Sequence, residues 1–216
     1  PTDFPQDVIE VMAREEKICK YLDIPLQHLS DNQLELMHRR HTKAEAMELI
    51  HRLRERIPDI ALRTTLLVGY PGETEEDFAE SLAFVASCGL GKVHVFPYSR
   101  RQGTRAATMP DPATRQEKQK WFDKLLEVQN AMSAKLHADY IGKTVRVLVD
   151  GESDDAEYPL ASRTDGNRLV RLKGGSELIG QFVDVKITDS NTWALYGEAV
   201  TGCAEVSQPC FLTNFS

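Results

Sequence analysis

Residues 60–78, IALRTTLLVGYPGETEEDF, decide the fold class of this 216-residue chain. The first nine are mostly aliphatic or β-branched, which is typical of a buried strand. A turn containing Gly69 and Gly72 follows, and Thr74 then precedes three acidic residues, as at the start of a helix. A strand that leads through a short turn into a helix predicts a parallel sheet covered by helices.

Similar units lie on both sides of this stretch. Residues 21–26 (YLDIPL) and 92–96 (KVHVF) are predicted to be further strands. Residues 42–57 predict a helix, because Thr42 and Glu45 can form a capping box ahead of apolar residues at helical spacing. A long helix is predicted to begin at Asp111-Pro112 and to end near residue 142. The sequence therefore predicts an α/β region, either part of a barrel or an open sheet.

The pattern changes near residue 141. Short stretches of alternating apolar and polar residues follow, separated by Gly, Asp and Ser turns; they are residues 144–149, 167–172, 182–187 and 193–197. Four or five such strands in about 60 residues predict a small antiparallel β-barrel. We expect an α/β domain with a connecting helix over residues 1–141, the small barrel over 142–200 and a loose tail over 201–216.

The composition narrows the functional classes. Hydrophobic residues make up 41% of the chain and charged residues 27%, which excludes a disordered or collagen-like protein. No apolar run reaches the roughly 18–20 residues of a membrane span, so no membrane partner is expected. Because the net charge is −7, nucleic-acid binding requires a local basic patch. The four scattered cysteines form no disulfide framework, which favours a cytoplasmic setting.

Candidate ligand-binding residues follow the predicted strands, where parallel sheets bind ligands. The turn at residues 69–72 lets a ligand approach the backbone closely, unless its glycines serve the turn alone. Gln27 can hydrogen-bond a ligand and His28 can act in acid–base chemistry; alternatively, both bind neighbouring backbone. Phe96 and Tyr98 are aromatic residues that either stack on a flat ring or belong to the core.

The small barrel contains a cluster of basic residues. Two aromatic residues, Trp193 and Tyr196, lie nearby in sequence, and small barrels with basic strands and exposed aromatics commonly bind RNA. However, residues 142–200 contain ten acidic against seven basic side chains, so composition alone leaves RNA binding open. No metal site is predicted, because no third ligand converges on the histidines of residues 38–51. The candidate RNA- or substrate-binding residues are Arg163, Arg168, Arg171 and Lys173.

In combination, these motifs resemble the methylthiotransferase family of radical S-adenosylmethionine enzymes. The resemblance covers about residues 1–200 and includes that family's C-terminal TRAM module, a β-barrel that binds RNA or substrate. It rests on residues 21–28 (YLDIPLQH), 30–32 (SDN), 63–74 (RTTLLVGYPGET), 93–99 (VHVFPYS), 163–164 (RT) and 178–187 (LIGQFVDVKI).

The resemblance implies a partial TIM-like (β/α) radical S-adenosylmethionine barrel followed by the TRAM barrel. Residues 63–72 would line the adenine and methionine side of S-adenosylmethionine, and residues 96–98 would edge the adenine. The cofactor-binding residues implied in this way are Gln27, His28, Arg63, Thr65, Val68, Gly69, Gly72, Phe96 and Tyr98.

One departure from the family concerns cysteine. The family binds a [4Fe–4S] cluster through a C-x-x-x-C-x-x-C motif and carries three further cysteines in a preceding domain, whereas Cys19 and Cys88 stand alone here. We therefore expect a C-terminal fragment that holds no catalytic residue or cluster ligand and is inactive alone, with the [4Fe–4S] clusters only in a full-length parent.

The substrate signals are mixed. Residues 23–28 and 63–65 resemble the branch that modifies an aspartate of a small-subunit ribosomal protein. Residues 94–99 resemble a branch acting on threonylcarbamoyl-adenosine in tRNA, and residues 163–169 and 178–187 resemble one acting on isopentenyl-adenosine beside the anticodon. Because the barrel segments favour tRNA, the expected parent reaction is methylthiolation of a modified tRNA adenosine. The alternatives are the ribosomal-protein aspartate and a non-catalytic RNA-binding fragment.

Overall fold

The computed structural model describes residues 4–200, so the loose tail predicted for residues 201–216 lies outside the described residues. The first part of the chain contains five α-helices, a 3₁₀ turn and a parallel sheet of order β1-β2-β3. None of the described helices is long and apolar enough to cross a membrane. Its elements are α1 (Gln6–Arg14), β1 (Tyr21–Asp23), α2 (Asp31–Leu36), α3 (Lys43–Arg56), β2 (Ala61–Val68), α4 (Glu75–Ser87), β3 (Lys92–Pro97), a 3₁₀ turn (Arg105–Thr108) and α5 (Arg115–Ala138).

Strand β2 forms the centre of the sheet because its residues alternate strictly between buried and partly exposed. Leu62, Leu66 and Val68 point into the core beneath the helices and are at most 3% exposed. The opposite side chains of β2 remain partly exposed. The predicted α/β class is therefore confirmed, with one covered sheet face and one open face.

Three of the helices, α3, α4 and α5, begin directly after a threonine that caps the helix N-terminus. Thr42 with Glu45 and Thr74 with Asp77 form capping boxes at α3 and α4. The long helix begins later than the predicted Asp111-Pro112, because Thr114 caps it in the same way. Helix α5 packs beside α4, and its Trp121 ring stacks on Phe78 at a centroid distance of 5.6 Å.

The second part is a closed five-stranded barrel of order β4-β5-β6-β8-β7. Two details differ from the sequence-based prediction. Strand β5 falls between the stretches that alternation identified, and β6 pairs with β8 in parallel rather than antiparallel. The barrel elements are β4 (Thr144–Glu152), β5 (Leu160–Thr164), β6 (Leu169–Lys173), a 3₁₀ turn (Ser176–Leu178), β7 (Phe182–Ser190) and β8 (Leu195–Ala199).

The two parts have separate apolar cores and contact each other near the start of the parallel sheet. In the β5–β6 turn, Asp165 accepts a hydrogen bond of 2.8 Å from the backbone N–H of Lys20, just before β1. A Cβ on Gly166 would lie 3.0 Å from the Cβ of Ala61, the first residue of β2. This turn therefore contacts the amino-terminal end of the parallel sheet. The division of the chain at residue 141 stays a prediction; α5 ends at Ala138 and β4 begins at Thr144.

Candidate functional site

The open face of the parallel sheet brings polar residues of three strands side by side. Arg63 and Thr65 of β2 project from this face, since their buried neighbours point the other way. Parallel pairing places Asp23 of β1 beside Arg63, His94 of β3 beside Thr65, and Phe96 beside the next residue of β2 on this face. The Arg63 Nε donates to Asp23 Oδ2 at 2.8 Å, and this hydrogen bond raises the pKa of Arg63.

His94 is a site residue that we did not select from the sequence. Burial lowers the pKa of His94, and the positive charges of Arg63 and Lys92 lower it further, so its ring is neutral near pH 7. Its Nε2 atom is buried without a hydrogen-bond partner among the described residues. The alternation of KVHVFP was the available signal, because it places His94 and Phe96 on one face.

The end of β3 adds an aromatic edge to the open face. Phe96 is 50% exposed, and its ring meets that of His94 edge to face at 6.3 Å. Tyr98 continues the pairing, since its N–H donates to the carbonyl of Val68. The Tyr98 hydroxyl is buried and has no partner within residues 4–200. An unpaired buried polar atom costs about 1–3 kcal/mol. Five such side-chain atoms occur among residues 4–200, and His94 Nε2 and Tyr98 Oη are the two on β3 or directly after it.

Gln27 lies at the carboxyl end of the sheet in an unusual backbone conformation. Its φ is +72°, and its N–H and carbonyl bond the carbonyl of Thr65 and the N–H of Leu67 at 2.9 and 2.8 Å. Through these hydrogen bonds the segment that follows β1 continues to pair with β2 in parallel. Backbone strain at a fixed position beside an open face is compatible with the cofactor role expected of Gln27, which stays a prediction.

His28 belongs to the buried layer instead. Its side chain is 1% exposed, its Nε2 lies 3.0 Å from Glu73 Oε1, and its Nδ1 accepts from the backbone N–H of Ser30 at 3.0 Å. No nitrogen of His28 is left for a ligand. Val68 is equally buried, with its side chain 3% exposed beneath the helices. We therefore remove His28 and Val68 from the candidate site, because both point away from the open face.

The turn at Gly69 is already occupied by the chain itself. Gly69 has a φ of +80°, its N–H donates to Glu73 Oε2, and its carbonyl accepts from Lys118 Nζ at 2.7 Å. An added Cβ would lie 2.8 Å from the Lys118 side chain, and at Gly72, with φ of +86°, 3.2 Å from Leu36. The close approach that these glycines permit is thus made by the chain's own side chains. The alternative of a structural turn explains both glycines.

Three of the four basic residues selected from the small barrel are paired with neighbouring carboxylates. Arg163 Nε lies 3.3 Å from Asp150, and Arg171 lies 2.8 Å from Asp154. Lys173 lies 3.1 Å from Glu198 and 3.4 Å from Glu157. Strand pairing brings Glu198 of β8 close to Lys173, because the two are register partners. These residues therefore form no basic patch.

Arg168 lies at the junction between the two parts. Its guanidinium stacks over the Tyr140 ring at 5.2 Å, and its Nε donates to the Tyr140 hydroxyl at 3.3 Å. A Cβ on Gly91, just before β3, would lie 3.7 Å from its terminal nitrogen. Arg168 thus joins the small barrel to α5 and the sheet, and we remove it from the candidate RNA-binding set.

The described residues do not provide ligands for an iron–sulfur cluster. Within residues 4–200, no group of three or more His, Cys, Asp or Glu side chains could hold a metal ion. Cys19 is exposed, Cys88 is buried, and both are free thiols. A [4Fe–4S] cluster requires several converging thiolates, so the donor set in this part of the chain does not fit one.

Comparison with known proteins divides the chain in two. Residues 1–85 match the Radical SAM superfamily, and residues 138–200 match the TRAM domain. A tRNA-2-methylthio-N(6)-dimethylallyladenosine synthase from Fusobacterium nucleatum is 42% identical over 200 residues, which cover 93% of this chain and 46% of that protein. The ribosomal protein uS12 methylthiotransferase RimO from Geobacter sulfurreducens is 41% identical over 206 residues, again covering 93% and 46%. The chain thus spans about half the length of these relatives.

Proposed function

Because this chain belongs to the radical S-adenosylmethionine methylthiotransferase family, we propose that its open sheet face holds S-adenosylmethionine and its small barrel holds RNA. The observation that carries the first half is a pair of buried polar atoms without hydrogen-bond partners in residues 4–200, His94 Nε2 and Tyr98 Oη. The His94 ring packs on the half-exposed Phe96, and Tyr98 follows two residues later at the end of β3. A nucleoside with an attached amino acid offers a flat ring and several hydrogen-bonding groups, which this face can receive.

Each residue of the open face has a separate role in this proposal. Phe96 offers a flat surface to the adenine, and the neutral His94 offers one ring nitrogen for a hydrogen bond. Asp23 contacts the Nε and one terminal nitrogen of Arg63 and so fixes the direction of its guanidinium; the remaining N–H groups would bind the carboxylate of S-adenosylmethionine. Gln27 and Thr65 are the other two residues that we propose for cofactor binding at this face. When bound, S-adenosylmethionine supplies methyl-group and radical chemistry, which an unactivated C–H bond requires.

For the whole protein, we propose methylthiolation of a modified adenosine beside the tRNA anticodon. The support is the 42% identical tRNA-modifying relative together with a TRAM barrel in this chain. The second candidate, methylthiolation of a small-subunit ribosomal protein, is supported by the 41% identical relative of that activity. A tRNA partner also implies the cytoplasmic setting, which stays a prediction.

The 216-residue chain on its own is proposed to lack catalytic activity. Its four cysteines, Cys19, Cys88, Cys203 and Cys210, contain no C-x-x-x-C-x-x-C spacing. Anaerobic reconstitution with iron and sulfide, followed by reduction with dithionite, should therefore yield no [4Fe–4S] signal by electron paramagnetic resonance. Incorporation of about four irons per chain together with cleavage of S-adenosylmethionine would refute this statement.

Titration calorimetry with S-adenosylmethionine tests the cofactor proposal. We expect weak binding to the 216-residue chain, and a roughly 5- to 150-fold loss of affinity in Phe96→Ala, the range for one aromatic–base stack. Trp193→Ala is the matched control, since Trp193 is 64% exposed but lies in the small barrel. Undetectable binding to the unaltered chain, or equal affinity of Phe96→Ala, would contradict the proposed site.

A competition experiment separates the two substrate candidates. The chain is mixed with a fluorescent anticodon stem-loop RNA, and either unlabelled RNA or the small-subunit ribosomal protein is added. Displacement by RNA alone supports the tRNA substrate. Displacement by the ribosomal protein at lower concentration than RNA supports the second candidate instead.

A further inference from the structure

The outward side of strands β4 and β7 carries an exposed aromatic surface. Phe182 is 61% exposed, and its register partner Leu148 is 37% exposed. Two further register pairs, Arg146 with Asp184 and Thr144 with Lys186, continue the same side. We call these six residues the β4–β7 face. Its apolar side chains are not part of the barrel core, because the core is built from the inward-pointing residues of the same strands.

The charges of the β4–β7 face differ from those of the cluster selected from the sequence. Arg146 and Lys186 have no carboxylate within ion-pair distance among the described residues, whereas Arg171 and Lys173 each contact two. The face contains one acid, Asp184. Lys186 Nζ donates to the carbonyl of Gly142, and Arg146 lies across from Asp184. In a chain of net charge −7, a face with two cations outside ion-pair distance of any described carboxylate and with one acid is a local exception.

Arg146 and Phe182 form a stacked pair. The guanidinium carbon lies over the Phe182 ring at 5.0 Å from its centroid, within the range of a cation–π contact. An exposed ring held beside a cation presents a flat apolar surface and a positive charge a few ångströms apart. A nucleotide has the matching pair of groups, a flat base and a phosphate.

We propose that the β4–β7 face binds an unpaired nucleotide of an RNA loop. The base stacks on Phe182 against Leu148, while Arg146 and Lys186 contact the flanking phosphates. This inference rests on the proposed function, in which RNA is the partner of the small barrel, and it moves the contact surface away from Arg163, Arg171 and Lys173. A protein partner is the weaker fit, because stable protein interfaces bury about 800 Å² per side and two apolar side chains do not supply such a core.

Binding of a fluorescent anticodon stem-loop RNA to the 216-residue chain tests the assignment. Phe182→Ala should lower affinity roughly 5- to 150-fold without changing the salt dependence, because stacking releases no counterions. Phe182→Trp should keep or raise affinity. Arg146→Gln should lower affinity and reduce the slope of log affinity against log salt by about one. Since these side chains are exposed, circular dichroism should show unchanged folding in each variant.

Two matched controls sharpen the result. Trp193→Ala removes an aromatic of similar exposure outside this face, and Lys173→Gln removes a carboxylate-paired cation; both should retain affinity. If Phe182→Ala binds like the unaltered chain, or Trp193→Ala loses more affinity, the β4–β7 assignment is overturned while RNA binding by the barrel stands. If the unaltered chain binds no RNA at any salt concentration, the RNA half of the proposed function fails as well, whereas calorimetry with S-adenosylmethionine still tests the other half.

Discussion

Replacing Glu73 by alanine removes the carboxylate that joins two loops at the carboxyl end of the parallel sheet. Glu73 is fully buried and accepts from Gly69 N–H in the loop after β2, and it bonds His28 Nε2 in the loop after β1. Among residues 4–200, no other group accepts a hydrogen bond from Gly69 N–H, and the Gly69 carbonyl is bound by Lys118. The substitution therefore leaves two buried polar groups unpaired at once.

The size of the effect follows from these two lost bonds. Each buried polar group left without a partner costs about 1–3 kcal/mol, and Glu73→Ala leaves two such groups, Gly69 N–H and His28 Nε2. Glu73→Ala should therefore lower the free energy of unfolding by about 4 kcal/mol. Glu73→Gln retains one acceptor oxygen and loses one of the two bonds, so its loss should be about 1–3 kcal/mol.

Urea unfolding followed by tryptophan fluorescence measures these losses in the α/β part. The chain has two tryptophans, and Trp193→Phe leaves Trp121, which stacks on Phe78 of α4, as the single reporter. With a urea dependence of about 2 kcal/mol per molar, Glu73→Ala should move the midpoint down by roughly 2 M. The exposed Glu76→Ala, three residues along the chain, is the control and should stay within about 0.5 kcal/mol. A Glu73→Ala midpoint no lower than that of the control would refute the reasoning.

Three further perturbations have defined outcomes. Gly69→Ala should lower the free energy of unfolding by about 1–3 kcal/mol in the urea assay, because φ is +80° and Lys118 fills the space, and an unchanged midpoint would exclude that contact. Asp165→Ala should raise the rate of limited proteolysis near the junction by freeing Lys20 N–H, while equal rates would show that this bond does not hold the parts together. Burial lowers the pKa of His137 in the folded protein. Since His137 binds a proton more readily in the unfolded chain, the free energy of unfolding falls as the pH drops below about 6.5. His137→Gln should show a shallower fall in melting temperature between neutral and mildly acidic pH, and parallel curves would contradict this origin.

Local sequence signals identified the three strands of the parallel sheet and helices α3, α4 and α5, because alternation and capping act within a few residues, whereas α1 and α2 were not predicted. Thr42 with Glu45 is an example, since both partners of the capping box lie in one helical turn. The role of Gly69 was beyond such signals, because its partner Lys118 is 49 residues away. The same holds for Lys173, whose charge is balanced by Glu198 of a strand that pairs only in the folded barrel.

Only part of the candidate site was predicted from the sequence, because sequence signals act within a few residues. Alternation in β2 places Arg63 and Thr65 on one face, and the pattern is readable from the sequence. Which face remains open depends on where α4 and α5 pack, and this decides that His28 is buried while His94 is not fully covered. That His94 Nε2 has no hydrogen-bond partner within residues 4–200 depends on all the residues around it, and no local sequence signal predicts it.

The two ends of β2 contact different parts of the molecule. In the proposed enzyme, RNA binding and the chemical step would therefore depend on different ends of this strand. The β5–β6 turn of the small barrel contacts Ala61 at the amino end, whereas the loop at Gly69 lies at the carboxyl end, eight residues or about 26 Å along the strand. Because the small barrel contacts the amino end of β2, away from the carboxyl-end loop at Gly69, we expect it to affect the affinity for RNA and not the chemical step. In a full-length enzyme that contains this chain, Phe182→Ala should therefore raise KM for tRNA roughly 5- to 150-fold and leave kcat within a factor of two. Single-turnover measurement of methylthio-adenosine formation at saturating tRNA checks this, and a fall in kcat equal to the fall in kcat/KM would place Phe182 in the chemical step instead.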